Sequence, residues 1–387
     1  MKFRESAGRV RGALALAGAA AMLTLAACGG GAAEPAAGSS AAGAEPVQVK
    51  LQLQWVAQAQ FAGYYAAVDQ GYYSDEGLDV EIVQSGTDTV PQDELTAGEV
   101  DYAISWVPKV LGSIEKGAKI TNVAQIFERS ATTQISFRDK GITSPAQFAG
   151  KSVGNWGGGN EWELFAGLQK AGVDVGQLKL VNQAFDMNAF LDGDIDAAQA
   201  MTYNEYAQVL ETKNPQTGKL YQPSDLNVVN WNDVGTAMLQ DAIWADTEKL
   251  NDPAYAEQTT KFIKASIKGW VFTRDNPDQA AKIVTAAGST LGESHQLWMA
   301  NEVNKLIWPS KSGGIGMIDD AAWKQTVDIA MGTKNQTGKT IITKEPPAEA
   351  RSNTYVEKAL ADLKKEGVDV EGAGFKPITV QLQEGGK

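Results

Sequence analysis

Val47, Val49, Leu51, Leu53 and Trp55 alternate with Gln48, Lys50, Gln52 and Gln54, the period of two expected of a strand with one covered face. Phe61 to Gln70 suits a helix stopped by Gly71. Asp79 to Val83 reads as the next strand, Glu94 to Ala97 as part of a helix, Tyr102 to Trp106 as a strand, and Val107 to Lys116 as a helix closed by Gly117. Further on, Lys151 to Trp156 predicts a strand, Glu161 to Lys170 a helix and Leu178 to Val181 another strand. From Asp246 onward long helical stretches dominate: Tyr255 to Trp270, Pro277 to Ala287, Gln296 to Leu306, Asp320 to Met331 and Asn353 to Lys365. Strands alternating with helices across short turns predict an α/β fold with an open parallel sheet covered on both faces.

The chain also echoes itself. Leu95-Thr96-Ala97-Gly98-Glu99-Val100-Asp101-Tyr102-Ala103 and Phe190-Leu191-Asp192-Gly193-Asp194-Ile195-Asp196-Ala197-Ala198 both order a helix end, a C-cap glycine, a short acidic turn and a new strand. Two lobes of similar construction are expected, with the late helices returning to pack on the first. The lobes are placed at 47–134 with 241–387, and at 135–240.

Ahead of the first strand the pattern is different. Lys2, Arg4, Arg9 and Arg11 precede an apolar run from Ala13 that ends Leu25-Ala26-Ala27-Cys28, and Cys28 is the chain's only cysteine. The run is short for a membrane span, and the arrangement reads as a bacterial lipoprotein signal over 1–28, with lipid carried on Cys28. Two or three acyl chains hold firmly because each buried methylene contributes about 0.8 kcal/mol. Residues 29–46 are Ala, Gly, Ser, Glu and Pro without a large apolar residue, a flexible spacer. The net charge is −13, and removing residues 1–28 takes away four basic residues and one acid, leaving −16. Nucleic acid is therefore not an expected partner. With no cysteine after Cys28, stability must come from the core rather than from disulfides.

Several segments carry a family resemblance: Leu53-Gln54-Trp55, Gln60-Phe61-Ala62-Gly63-Tyr64-Tyr65-Ala66-Ala67, Gly71-Tyr72-Tyr73 and Glu76-Gly77-Leu78-Asp79-Val80. Together with Leu95 to Ala103 and Ile142 to Gly154 they resemble the solute-binding proteins of ABC importers. The branch they are most similar to binds thiamine pyrimidine precursors and riboflavin, with sulfonate, taurine and nitrate binders as more distant relatives. The resemblance covers roughly residues 47 to 310. It implies a two-lobed periplasmic-binding-protein fold, the type II Venus flytrap, which closes on ligand about a hinge and docks on a permease. A monomer with no cofactor is expected. A fungal enzyme of thiamine-pyrimidine synthesis shares the superfamily, but its chemistry uses an active-site His and a Cys-rich motif. Here the only His is His295 and the only Cys is Cys28.

In open α/β sheets ligands bind beyond the carboxyl ends of strands. Trp55, Trp106 and Trp156 all end predicted strands, and a flat ring stacked between such side chains gains about 0.5–1.5 kcal/mol beyond area burial. The alternative for each is a core residue. Of the adjacent Tyr64 and Tyr65, one should face the cleft, and Tyr64 is the candidate. Gly157-Gly158-Gly159-Asn160 precedes a helix, with Asn160 at the N-cap position and Glu163 three residues on. Gly158 and its neighbours would let backbone N–H groups approach a carbonyl, sulfonate or phosphate.

Polar candidates are Gln58, Gln60, Asn160, Glu161, Asn204, Glu205 and Asp233, and Tyr203 joins them because Met201 to Glu205 occupies the place after the second echo strand that Trp106 has after the first. Lysine and arginine are absent from Leu51 to Tyr73, and Lys151 alone represents them from Gly141 to Gln169. This favours a ligand with N–H donors over an anion. One His and one Cys cannot build a His-rich or thiolate metal site, and Ser113-Ile114-Glu115-Lys116 lacks the partner motifs of the S-x-x-K enzymes. The expectation is a lipid-anchored importer component that captures a small aromatic heterocycle outside the cytoplasmic membrane. The alternatives are a sulfonate, taurine or nitrate binder and, in another class, a thiamine-pyrimidine biosynthetic enzyme.

Overall fold

The computed structural model describes residues 45–387, which form one compact unit. The lipoprotein signal, Cys28 and nearly all of the spacer lie outside the described residues. Among the described residues there are ten strands: β1 (Val47–Gln52), β2 (Leu78–Val83), β3 (Tyr102–Trp106), β4 (Ile120–Gln125), β5 (Thr132–Phe137), β6 (Ser152–Asn155), β7 (Lys179–Asn182), β8 (Ala198–Met201), β9 (Leu226–Asn230) and β10 (Asp241–Asp246). The helices are α1 (Ala62–Asp69), α2 (Tyr72–Asp75), α3 (Pro91–Ala97), α4 (Val107–Glu115), α5 (Trp162–Lys170), α6 (Asn188–Leu191), α7 (Glu205–Leu210), α8 (Trp231–Val234), α9 (Pro253–Asp275), α10 (Pro277–Ala286), α11 (Glu293–Ile307), α12 (Asp320–Gly332) and α13 (Thr354–Lys365).

Lobe 1 is built on a five-stranded sheet of order β2-β1-β3-β10-β4. β1 pairs in parallel with β2 and β3, whereas β10 runs antiparallel between β3 and β4, so the sheet is mixed where parallel pairing was expected. The cause is the chain's return from lobe 2, which enters the sheet from the opposite end as β10. Lobe 2 holds an antiparallel sheet β8-β5-β9 and a parallel pair β6-β7, bridged between Val153 and Ala197. Both echo segments fold alike, with Gly98 (φ 80°) after α3 leading to β3 and Gly193 (φ 82°) after α6 leading to β8.

The late helices do return to lobe 1. α9 lies so close on α1 that a Cβ on Gly269 would come within 1.9 Å of the Gly63 carbonyl oxygen. Tyr73, Tyr102 and Phe262 stack in the core beneath them. Among the described residues no helix is long and apolar enough to cross a membrane.

Two strand connections, 126–131 and 235–240, run between the lobes, and β5 begins at Thr132, ahead of the expected boundary at 134. Buried side chains fasten them together. Gln240 accepts from the Ala131 N–H at 2.8 Å and donates to Thr132 Oγ1 at 2.7 Å, while Glu163 accepts from the Met238 N–H at 2.6 Å and from Ser130 Oγ at 2.9 Å. Burial pushes the Glu163 carboxyl up to about 8.

A third link is the segment that ends at Lys387. It leaves α11, where the Ile378 N–H donates to Asn301 Oδ1 at 2.9 Å, and Leu382 packs on the lobe 2 core. Gly385 N–H then reaches the Glu211 carbonyl just after α7 at 3.1 Å. Beneath it His295 of α11 holds the Glu211 carboxylate at 2.8 Å through Nδ1 and Asn204 Oδ1 at 3.0 Å through Nε2. Both ring nitrogens thus have a buried side-chain partner in lobe 2, and the imidazole ties α11 to the turn before α7 and to the end of α7.

Candidate functional site

Between the lobes lies a cleft of about 1310 Å³. Its walls come from strand ends, as an open sheet dictates: Trp55 beyond β1, Trp106 at the end of β3, Trp156 beyond β6 and the Met201–Glu205 turn beyond β8. Phe185, in the connection from β7 to α6, stands between two of the tryptophans. Its ring centroid is 4.9 Å from that of Trp55 and 6.0 Å from that of Trp156, nearly parallel to the latter at 20°. Three flat faces, one from lobe 1 and two from lobe 2, thus meet at one point. Phe185 is 47 % exposed, and the Trp156 indole Nε1 is buried without a hydrogen-bond partner. The Trp156 backbone is fixed by Gln199 Oε1 at 3.0 Å.

Asp241 organises the lobe 1 wall. It opens β10 directly across from Trp106 and is 2 % exposed. Its Oδ1 accepts from Trp106 Nε1 and from Gln54 Nε2, both at 2.7 Å, and its Oδ2 accepts from Gln60 Nε2 at 2.9 Å. Gln60 in turn accepts from Gln58 Nε2 at 2.7 Å. Burial pushes the Asp241 carboxyl up to about 6, against the three hydrogen bonds and Lys109, which pull it down. A carboxylate with three donors aimed at it fixes the orientation of three cleft side chains at once.

On the lobe 2 side Tyr203, Asn204 and Glu205 line the cleft. Glu205 accepts from the Met201 N–H at 2.9 Å and from Asn204 Nδ2 at 2.8 Å, and burial pushes its carboxyl up to about 7. Through Asn204 the cleft connects directly to the His295–Glu211 pair.

Of the predicted site residues, Trp55, Gln60, Trp106, Trp156, Gly158, Asn160, Tyr203 and Asn204 line the cleft, as do Gln58 and Glu205. Three do not. Tyr64 is 1 % exposed and packs edge-on against Trp270 at 5.6 Å, because α1 turns that side towards α9; Tyr65 also lies outside the lining. Asp233 is exposed on α8, away from the cleft. Glu161 turns its carboxylate back on its own loop, accepting from the Gly159 N–H at 2.9 Å.

That contact also corrects the reading of the glycine turn. Asn160 does not cap α5: Glu161 holds the N-cap position, and Asn160 Nδ2 donates to the Gly157 carbonyl at 2.7 Å. Glu163, expected to complete a capping box, instead ties the lobe connections. The turn has left-handed backbone at Gly157, Gly158 and Gly159, with φ of 63°, 61° and 95°, and part of its amide supply is spent internally.

Gln54, Lys109, Phe185 and Asp241 were not singled out from sequence. Lys109 stands at the third position of α4 with its Nζ 4.7 Å from the centre of the Trp106 ring, close to Gly159 of lobe 2. Its burial lowers the ammonium to about 8, with Asp241 and Glu161 opposing. Cations are scarce along the local sequence, but Lys109, Lys116 and Lys339 all line the cleft.

The sequence profile described as NMT1/THI5 like matches residues 58–280, more than half of the chain. The protein belongs to that family. Among similar proteins of this NMT1/THI5-like chain are the formylaminopyrimidine-binding protein of Halalkalibacterium halodurans, 27 % identical over 61 % of this chain and 69 % of the relative, and the riboflavin-binding protein RibY of Chloroflexus aurantiacus, 24 % identical over 76 % and 85 %. The solved periplasmic aliphatic sulphonate binding protein SsuA of Escherichia coli superposes with a TM-score of 0.54 at 14 % identity, over 87 % of this chain and 94 % of that one. The fold is that of the periplasmic binding proteins, two lobes about a ligand cleft.

Proposed function

We propose that this protein is the extracytoplasmic binding component of an ABC importer, and that it captures a small aromatic nitrogen heterocycle, a riboflavin-like vitamin or a thiamine pyrimidine precursor. The observation that carries the reading is the meeting of Trp55, Phe185 and Trp156 across the cleft, with an indole N–H left without a partner beside them. Stacking surfaces of this kind suit a flat ring, and an unpaired buried donor suits a ring acceptor. The names of the two sequence relatives point the same way. The lobes are taken as 47–134 with 241–387 and 135–240, hinged at the two fastened connections.

The protein acts as a monomer, catalyses no reaction and delivers its cargo to a membrane permease. Lipid on Cys28 holds it at the outer face of the cytoplasmic membrane, with 29–46 as the tether. Trp55, Gln60, Trp106, Trp156, Gly158, Asn160, Tyr203 and Asn204 are assigned to the ligand. The test is a binding titration against riboflavin, formylaminopyrimidine, taurine, alkylsulfonates and nitrate, in which a heterocycle should bind and the small anions should not. Labelling with radioactive palmitate, present in the native protein and lost in Cys28→Ala, tests the anchor.

A sulfonate or nitrate cargo is the second reading, and Lys109 in the cleft is the observation that favours it. The carboxylates of Glu205 in the lining and of Asp241 behind it oppose a fully anionic guest.

A further inference from the structure

The glutamines of the lobe 1 wall are oriented by a group behind them. Asp241 is 2 % exposed, and its carboxyl, raised by burial to about 6, is ionised at neutral pH. An ionised carboxylate only accepts hydrogen bonds, so whatever faces it must turn an N–H towards it. The Trp106 indole has no other end to offer. For Gln54 and Gln60 the choice is forced: Nε2 turns to Asp241, at 2.7 and 2.9 Å, and the carbonyl end turns elsewhere.

The orientation passes one residue further. Gln60 Oε1 accepts from Gln58 Nε2 at 2.7 Å, which fixes the Gln58 amide in the same sense. Between these two residues the Ala59 N–H donates to Gln296 Oε1 of α11 at 2.6 Å, so the backbone beneath them is held as well. The carbonyl oxygen of Gln58 is left over and receives no hydrogen bond among the described residues. Gln58 is 3 % exposed, yet that oxygen is not one of the enclosed polar atoms without a partner, and the residue lines the cleft. A carbonyl so nearly buried is costly to leave without a donor.

Resting on the reading of the cleft as a heterocycle site, we infer that Asp241 is a positioning residue for ligand selection: it holds the N–H ends of Gln60 and, through Gln60, of Gln58 away from the guest, so that the Gln58 carbonyl accepts from a ring carrying an amino or ring N–H group at its edge. Asp241 acts from behind the wall, outside the lining. A ring whose N–H groups are blocked leaves the Gln58 oxygen unpaired and is rejected on that account.

Asp241→Asn changes this chain of orientations with almost no change of shape. With the new oxygen kept for Trp106, the new N–H faces Gln60, reverses it, and through it reverses Gln58, which then offers an N–H where it offered a carbonyl. The test is calorimetric titration of the full-length protein in detergent with two pairs of rings: riboflavin and its derivative methylated at the imide nitrogen, and 4-amino-5-hydroxymethyl-2-methylpyrimidine and its 4-dimethylamino counterpart. In each pair only the first member keeps an N–H group, and taurine serves as the control anion. The native protein should bind at least one N–H ring about tenfold or more tighter than its methylated partner, a gap of about 1.4 kcal/mol. In Asp241→Asn that ratio should fall to within about twofold through weaker binding of the N–H ring, while the methylated ring keeps its native affinity within about twofold, which also shows that the variant is folded. Gln58→Leu removes the acceptor, leaves Asp241 in place and should lose the same ratio; it decides the matter if Asp241→Asn does not fold.

A methyl group that merely clashes would keep the ratio in both variants. A native ratio near one, or a ratio that survives in either folded variant, overturns the inference and leaves the heterocycle reading standing. Binding of taurine with no response to any ring overturns both.

Discussion

Single residues account for the chemistry of the cleft, and their environments make predictions. Trp55 is only half-buried and lines the cleft, so its value to the fold is small, and the proposed function puts its face against the ligand. Trp55→Ala should raise the Kd for the bound heterocycle by about tenfold or more with little change in melting temperature. Titration with parallel melting curves checks this, and an unchanged Kd would remove Trp55 from the site.

Glu163 makes a prediction of a different kind. Its folded pKa lies near 8, above the ordinary carboxyl value of 4.5, so the folded protein keeps a proton that the unfolded chain releases between those limits. The contribution is whole below about 4.5 and falls away as pH rises to about 8, on the order of a few kcal/mol. Glu163→Gln should flatten that fall, seen in urea unfolding at pH 5 and pH 8. An unchanged slope would mean that the burial of Glu163 does not drive it.

Much of this residue-scale picture is legible in the sequence because strand ends converge in an open sheet: Trp55, Trp106 and Trp156 are found by position alone. Lys109, Phe185 and Asp241 escape such reading. Asp241 meets Gln54 across 187 positions, and no local pattern encodes that pairing. Tyr64 was misplaced because adjacent tyrosines on a helix do not reveal which neighbour each will meet, and α9 covers this one.

At the scale of elements, the amphipathic helices and the parallel strands announce themselves through their periods, and most lie within a few residues of the expected bounds. β4 and β10 do not, because both faces are covered: every residue of Ile120–Gln125 is buried, which erases the alternation. The links between lobes were equally silent, being built from glutamines, Glu163 and the His295–Glu211 pair rather than from a motif.

That pair is buried, with side-chain exposures of 1 % and 6 %. Removing His295 leaves the Glu211 carboxylate and the Asn204 amide oxygen buried without that partner, so His295→Leu should destabilise the protein by about 1–3 kcal/mol, read from denaturant unfolding. The double replacement of His295 and Glu211 by apolar residues should recover most of the loss. A single variant as stable as the parent would show that the pair does not stabilise the fold. Because Asn204 joins His295 to Glu205 at the cleft, the same variant should also weaken ligand binding.

For the whole molecule, the proposed function requires the lobes to turn as units about the two fastened connections, with the segment ending at Lys387 as a further link between them. Ligand should shift scattering profiles towards a more compact particle, by about 1 Å or less in radius of gyration for a domain pair of this size. The shift should be absent in a variant with Trp55 and Trp156 both replaced by alanine.

The most direct measurement of the central claim is a calorimetric titration of the full-length protein, solubilised in mild detergent, with riboflavin, formylaminopyrimidine, taurine and nitrate in turn. The account predicts saturable binding of a heterocycle, accompanied by quenching of tryptophan fluorescence and a raised melting temperature, since a ligand that binds only the folded state stabilises it by mass action. Saturable binding of taurine or nitrate, with no response to either heterocycle, would contradict it.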